Sequence, residues 1–354
     1  MAQPSSPSGG ATPLKLLAIA VVVGAVAGAF AWTAGWFSPG RITPAEVVDN
    51  LAPPGGPAAG FRRNHAKGVC FTGTFDSNGA GSALSRATLF AAGRYPVTGR
   101  FNLAGPDPAG PDGAARVRGL SLRLQTPDRQ EWRSAMINPP FFPFATPQDF
   151  YGQQVASARK DDPQAMKDFA AAHPSLRAFG AWAGSAPYAS SYAQDRFNSL
   201  NSFVFTNAAG TPQTVRWSFV PAAELVPLSA AEIKQRDPDF LIQEMTARVA
   251  QAPQKWTMTV TLAEPGDPTA DPSQAWPDAR RKLDVGTLVV SRIEPQVDGP
   301  CRDINFDPTV LPPGMSTSDD PFPAARSAAY AVSYDRRSAE SKDLPRTRST
   351  GAPK

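Results

Sequence analysis

Two histidines, His65 and His173, are the only ones in 354 residues, and histidine is the side chain whose ordinary pKa lies nearest neutrality. His65 lies in "GFRRNHAKGVCFTGTF", between a pair of arginines and the start of an alternating run. Far downstream, "ARSAAYAVSYDRR" sets Arg326, Tyr330, Tyr334 and Arg337 at i, i+4, i+8 and i+11, on one face of a helix. Taken alone, such a face reads as a solvated polar stripe. It also admits a sharper chemistry, because a tyrosine oxygen can be the axial ligand of haem iron. A phenol of ordinary pKa about 10 must lose its proton to do this well. A guanidinium nearby favours the phenolate, and Arg326 stands one turn before Tyr330. A lone histidine ahead of a strand reads by itself as a surface or core residue. His173, followed by Pro174 at an expected helix end, reads as structural.

Such residues need a scaffold. Period-two alternation marks strands around Val69–Phe75, Leu120–Leu124, Thr214–Val220, Trp256–Leu262 and Gly286–Ile293. Helical patterns cover Pro147–Ala158, Pro163–Ala172 and Ala230–Val249. Asp319-Asp320-Pro321-Phe322-Pro323 supplies caps and first-turn prolines for the helix carrying Tyr330. Strands with one apolar face must bury it, and closure into a barrel removes exposed edges. The expected fold class is α+β: a closed antiparallel β-barrel with surrounding helices, preceded by one N-terminal transmembrane helix.

The anchor is Leu16–Phe37, "LLAIAVVVGAVAGAFAWTAGWF", whose only polar side chain is Thr33. As a helix it would span roughly 33 Å, enough for a hydrocarbon core of about 30 Å. Trp32 and Trp36 stand near one end, as interfacial aromatics do. A cleaved signal peptide, with small residues at Ala27-Gly28-Ala29, is the competing reading. Thr43-Pro44-Ala45-Glu46 predicts a short helix start with a capping box. The chain carries a net charge of +4 but no dense Lys/Arg cluster interleaved with aromatics, which argues against nucleic acid as a partner. Cys70 and Cys301 form no zinc pattern. The expectation is two separate buried thiols, with pairing open in an oxidising compartment.

Four stretches together resemble the catalase superfamily, and in particular its small catalase-related peroxidases. These are "RRNHAKG", "YPVTGRF" ending at Phe101, "VRGLSLRL" with "PPFFPF", and "ARSAAYAVSYDRR". "DPSQAWPDARRKLDVGTLVVSRIEP" and "INFDPTVLPPG" follow in the same order, so the resemblance runs from about Gly60 to Arg337. It implies haem, expected to be of b type, with His65 as the acid–base group and Tyr330 as the metal ligand partnered by Arg326. It also implies Arg62, Arg100 and Arg337 at the propionates, and Phe141 and Phe142 lining the cofactor. The implied organisation is a cytoplasmic segment at 1–13, an anchor or signal at 14–37, a linker with a short helix at 38–59, a catalase-like haem domain at 60–337 and a disordered tail at 338–354.

The chain departs from the family's pattern in two places that matter. Full catalases carry an Asn-Asn-x-Pro stretch before the paired phenylalanines; here the run is Met136-Ile137-Asn138-Pro139-Pro140. The family's serine after Arg-Phe is Asn102. The expected activity is therefore reduction of hydrogen peroxide or organic hydroperoxides by an organic electron donor, with weak or no dismutation. The alternatives are a hydroperoxide lyase or isomerase on the same scaffold and a membrane-tethered haem binder. The expected location is the inner membrane by a single span, with the catalytic domain on the periplasmic side, or the periplasm itself if the segment is cleaved. An oligomer is compatible with the sequence.

Overall fold

A computed structural model describes residues 11–33, 37, 41–53 and 55–343 of the chain. It divides into two compact units, with the boundary between Thr43 and Pro44. The first unit contains helix α1 (Ala11–Thr33). By length and composition its stretch Pro13–Thr33 suffices to cross a membrane, and its large apolar side chains are exposed. Thr33 Oγ1 donates back to the Ala29 carbonyl at 2.9 Å, so the one hydroxyl of Pro13–Thr33 is satisfied within the helix. Trp36 lies outside the described residues.

In the second unit, eight antiparallel strands close on themselves. In ring order they are β1 (Gly68–Ser77), β2 (Gly93–Leu103), β3 (Arg118–Gln125), β4 (Glu131–Ile137), β6 (Phe197–Asn198), β8 (Pro212–Pro221), β10 (Gln254–Leu262) and β11 (Lys282–Pro295), which returns to β1. β7 (Phe203–Thr206) pairs with β8 and carries β12 (Met315–Thr317) at its far edge; β5 (Tyr188–Ala189) and β9 (Pro227–Leu228) pair separately. The alternating apolar residues point inward as expected. Phe71, Phe101, Leu120, Phe219, Trp256, Met258 and Leu288 are all fully buried. Each such side chain contributes about 1.5–3 kcal/mol by leaving water. Between Thr72 and Gly73 the β1–β11 register slips. A Cβ at Gly73 would lie 1.9 Å from the Val289 carbonyl oxygen, so only glycine admits the approach.

Helices surround the barrel. α2 (Pro44–Asp49) packs against α8 (Phe322–Glu340). α3 (Pro147–Ala158), α4 (Pro163–Ala172) and α5 (Pro174–Ser185) follow β4, each with a proline in its first turn. The single helix expected at Ala230–Val249 is instead two, α6 (Ala230–Gln235) and α7 (Phe240–Gln251). Pro238 lies between them, where it removes a donor and disfavours helix at the residue before it. At the other end, α8 runs to Glu340, past the boundary expected for the tail. Residues 344–354 lie outside the described residues.

Cys70 and Cys301 are not separate thiols: they form a disulfide, with Cα atoms 5.4 Å apart across 231 residues of sequence. The bond ties β1 to the loop that follows β11, packed with Ile304 and Phe306. A crosslink closing so long a loop restricts the unfolded chain, worth typically about 2–4 kcal/mol. Replacing both cysteines with serine should lower the thermal midpoint of the barrel by several degrees in calorimetry. A variant melting with the wild type would show the bond to be idle.

Candidate cofactor cavity

His65 lies in the loop just before β1, with φ at +53°. That left-handed region is unfavourable for a residue with a Cβ and costs on the order of 1–3 kcal/mol. The loop is held from several sides. Asn64 Oδ1 accepts from the N–H groups of His65 and Gly105, both at 2.8 Å. Arg100 Nη2 donates to the carbonyls of His65 and Ala66 at 2.8 and 3.0 Å. Gln296 accepts from Arg100 Nε at 2.5 Å and donates to Ala66 O at 2.9 Å. Two residues on, Lys67 is anchored by Asp112 and Asp239 at 2.7 and 2.6 Å. His65 is therefore set by its neighbours against its own backbone preference.

Tyr330 lies on α8, whose first N–H, that of Phe322, is capped by the Asp320 carboxylate at 2.9 Å. Asn201 ties this start to the middle of the helix. Its Nδ2 donates to Asp320 at 3.0 Å and its Oδ1 accepts from Arg326 Nη1 at 2.6 Å. Arg326 Nη2 also donates to the Tyr330 oxygen at 3.2 Å and to the Ala135 carbonyl at 2.7 Å. The guanidinium expected beside the phenol is in place.

His65 and Tyr330 line one cavity of about 270 Å³, together with Arg62, Arg100, Arg326, Arg337 and Phe142. Phe141 is not among its lining residues; its ring meets Phe179 of α5 edge-on, at 6.3 Å. The two rings of this irregular segment point to different neighbours, and one of the pair faces the cavity. Phe142 does so, edge-on to Phe322 at 5.1 Å. His173 takes no part: it stacks on Phe169 at 3.9 Å and bonds the Phe169 carbonyl at 2.7 Å.

Positive charge dominates the cavity. Five arginines line it, with no aspartate or glutamate among the described lining residues. Arg63 pairs with the Glu340 carboxylate, and the charge of Asp303 acts on Arg62 and Arg337. Arg62 donates to the carbonyls of Cys301 and Ile304 at 3.2 and 3.0 Å, and Arg337 to those of Arg302 and Ile304 at 2.6 and 3.2 Å. Burial, with Arg100 and Arg337 close by, pushes the Arg62 guanidinium well below its usual range. Burial likewise brings Arg100 down to about 9 and lowers Arg337. Burial first, then the charge of Arg100, lowers the His65 imidazole to about 4, an effect the Asn102 amide partly opposes. His65 is thus neutral at pH 7, and its buried Nδ1 has no hydrogen-bond partner among the described residues. Across from Asn102, a Cβ at Gly119 would lie 2.3 Å from the Asn102 amide oxygen, so glycine makes room for that side chain.

Surplus guanidinium charge, an orphaned imidazole nitrogen and a phenol oxygen bonded to arginine suit a flat apolar group that carries carboxylates and a metal. Sequence reasoning missed Asn64, Gln296 and Asn201, which hold the site together. Asn201 follows Leu200, another residue of positive φ at 57°, and no local pattern announces it. Asn102 was noticed only as a departure from pattern.

The family model described as Catalase matches residues 60–351. The chain is 36% identical over 310 residues to the catalase-related peroxidase of Synechococcus elongatus, covering 86% of this chain and 91% of that protein. It is 30% identical over 304 residues to the catalase-related peroxidase of Mycolicibacterium paratuberculosis, covering 84% and 96%. The structure of a fungal catalase superposes with a TM-score of 0.71 at 18% identity, over 80% of this chain and 61% of that one. The barrel and its order of elements are thus shared with catalases, of whose greater length this chain spans about three fifths. From the family match across nearly the whole second unit and the two relatives of comparable length, it follows that the chain belongs to the catalase family.

Proposed function

We propose that the chain is a haem-dependent peroxidase, holding a b-type haem between His65 and Tyr330 and reducing peroxide with an organic electron donor. The observation that carries this reading is the single cavity in which an imidazole, a phenol and unneutralised arginines converge. Tyr330 would hold the iron, and Arg326 would stabilise the phenolate that does so. Arg62, Arg100 and Arg337 would meet the propionates, since buried carboxylates call for paired cations and the arginine fork supplies them. When bound, the haem supplies the redox chemistry. The protein supplies the proton handling. A neutral imidazole has one free lone pair, so His65 can take the proton of an incoming peroxide and return it to the departing oxygen.

The donor clause rests on the distal wall. Ile137 lines the cavity where full catalases have an amide, and Phe142, Pro147 and Phe150 extend the apolar surface. The Asn102 amide beside the His65 imidazole stays as a polar contact, but this apolar stretch of the wall offers a second peroxide no hydrogen bond to replace those it leaves in water. Peroxide consumption should therefore depend on an added phenolic or other organic donor. Oxygen release in the absence of donor that matches or exceeds donor-dependent turnover would overturn this clause. The apolar α1 supports a single-pass membrane anchor, and the disulfide fits an oxidising compartment such as the periplasm.

A further inference from the structure

We propose that α2, in the stretch expected to be a linker, is a wall of the haem site and retains the cofactor. This rests on the haem reading above and extends it to residues ahead of the barrel. Val47, Val48 and Leu51 line the same cavity as Tyr330, and they stand beside Ser333 and Tyr334 of α8. Val48 is only 1% exposed. Six residues are too few to hold a helix in water, so α2 is helical because it is docked.

The docking is fastened at two points along α8. Asp49 of α2 pairs with Arg336. Glu340 receives the Arg63 guanidinium and also accepts from the Gly60 N–H at 2.9 Å. Both carboxyls are held below their usual range by these arginines, so both are ionised at neutral pH. The strap from α2 to Arg63 thus begins and ends on the helix that carries Tyr330. A cofactor with apolar edges is retained by apolar contact on every side that water could reach. The barrel and the α3 region give that contact on the distal side; α2 gives it along α8. Removing the α2 side chains would open the cavity beside the iron-bearing residue while leaving the barrel intact.

The test uses the full chain reconstituted with haemin and mixed with excess apomyoglobin as scavenger, following transfer of haem by absorbance. Val48→Asp exchanges a buried apolar side chain for a charged one, and should speed haem transfer by about tenfold or more. Leu51→Asp, at a less buried position, should accelerate transfer in the same direction and decides the matter if Val48→Asp does not fold. The melting temperature of the barrel should stay near that of the wild type in the variant that is scored. Transfer at the wild-type rate from the folded variants would overturn the proposal. A wild-type chain that takes up no haemin would instead sink the haem reading itself, and this one with it.

Discussion

Tyr330→Phe should leave the barrel folded and destroy the enzyme. The substitution removes one oxygen and keeps the ring, so the packing of α8 is conserved. What it removes is the atom 3.2 Å from Arg326 Nη2 that faces the cavity. Loss of a partner one shell out from a metal typically costs roughly 10–100-fold, so loss of the ligand itself should cost at least about 100-fold in peroxide turnover. Haem content of the purified variant should fall as well. A variant that keeps full haem content and full turnover would show that the phenol is not the ligand.

His65→Ala should separate binding from chemistry. The side chain touches the cavity but closes none of the arginine contacts, so the variant should still take up haem. Turnover should fall by about 10²–10⁴-fold, the usual worth of a positioned acid–base group. The pH profile gives a second readout. With the imidazole lowered to about 4, His65 stays neutral and able to accept a proton through the mildly acidic range. As pH falls through about 4 it takes up a proton and can no longer act as base. The acid limb of kcat/KM should therefore lie near 4 rather than near the ordinary value of about 6.5. A limb at about 6.5 would show that burial and the arginine charge do not depress the imidazole in the loaded enzyme, and an alanine variant of full activity would remove His65 from the mechanism.

Alone, each of these two residues reads as an ordinary structural side chain; the resemblance of their stretches to the catalase superfamily singles them out, and the structure brings both to one cavity. The barrel was legible because alternation survives wherever one strand face is buried, as at Trp256, Met258, Val260 and Leu262. What was not legible depends on long-range placement. The disulfide joins positions 231 residues apart, which no local pattern pairs. The linker helix and the turn after it show three ordinary apolar residues, Val47, Val48 and Leu51, and only docking on α8 turns them into a cavity wall. Phe141 and Phe142 are chemically identical, and the direction of an irregular segment decides which one faces inward. Asn201 matters because a loop residue from one side of the barrel meets a helix from the other end of the chain. Pro238 divides the helix expected at Ala230–Val249, because a proline's cost to a helix is local while the apolar pattern runs on past it.

The bond on which the site depends can be examined directly by resonance Raman spectroscopy of the ferric, haemin-loaded chain. The proposed ligation predicts ring vibrations of an iron-bound phenolate, shifted when the protein is made with deuterated tyrosine and absent from Tyr330→Phe. A haem spectrum free of those bands, or one that the substitution at Tyr330 leaves unchanged, would contradict it.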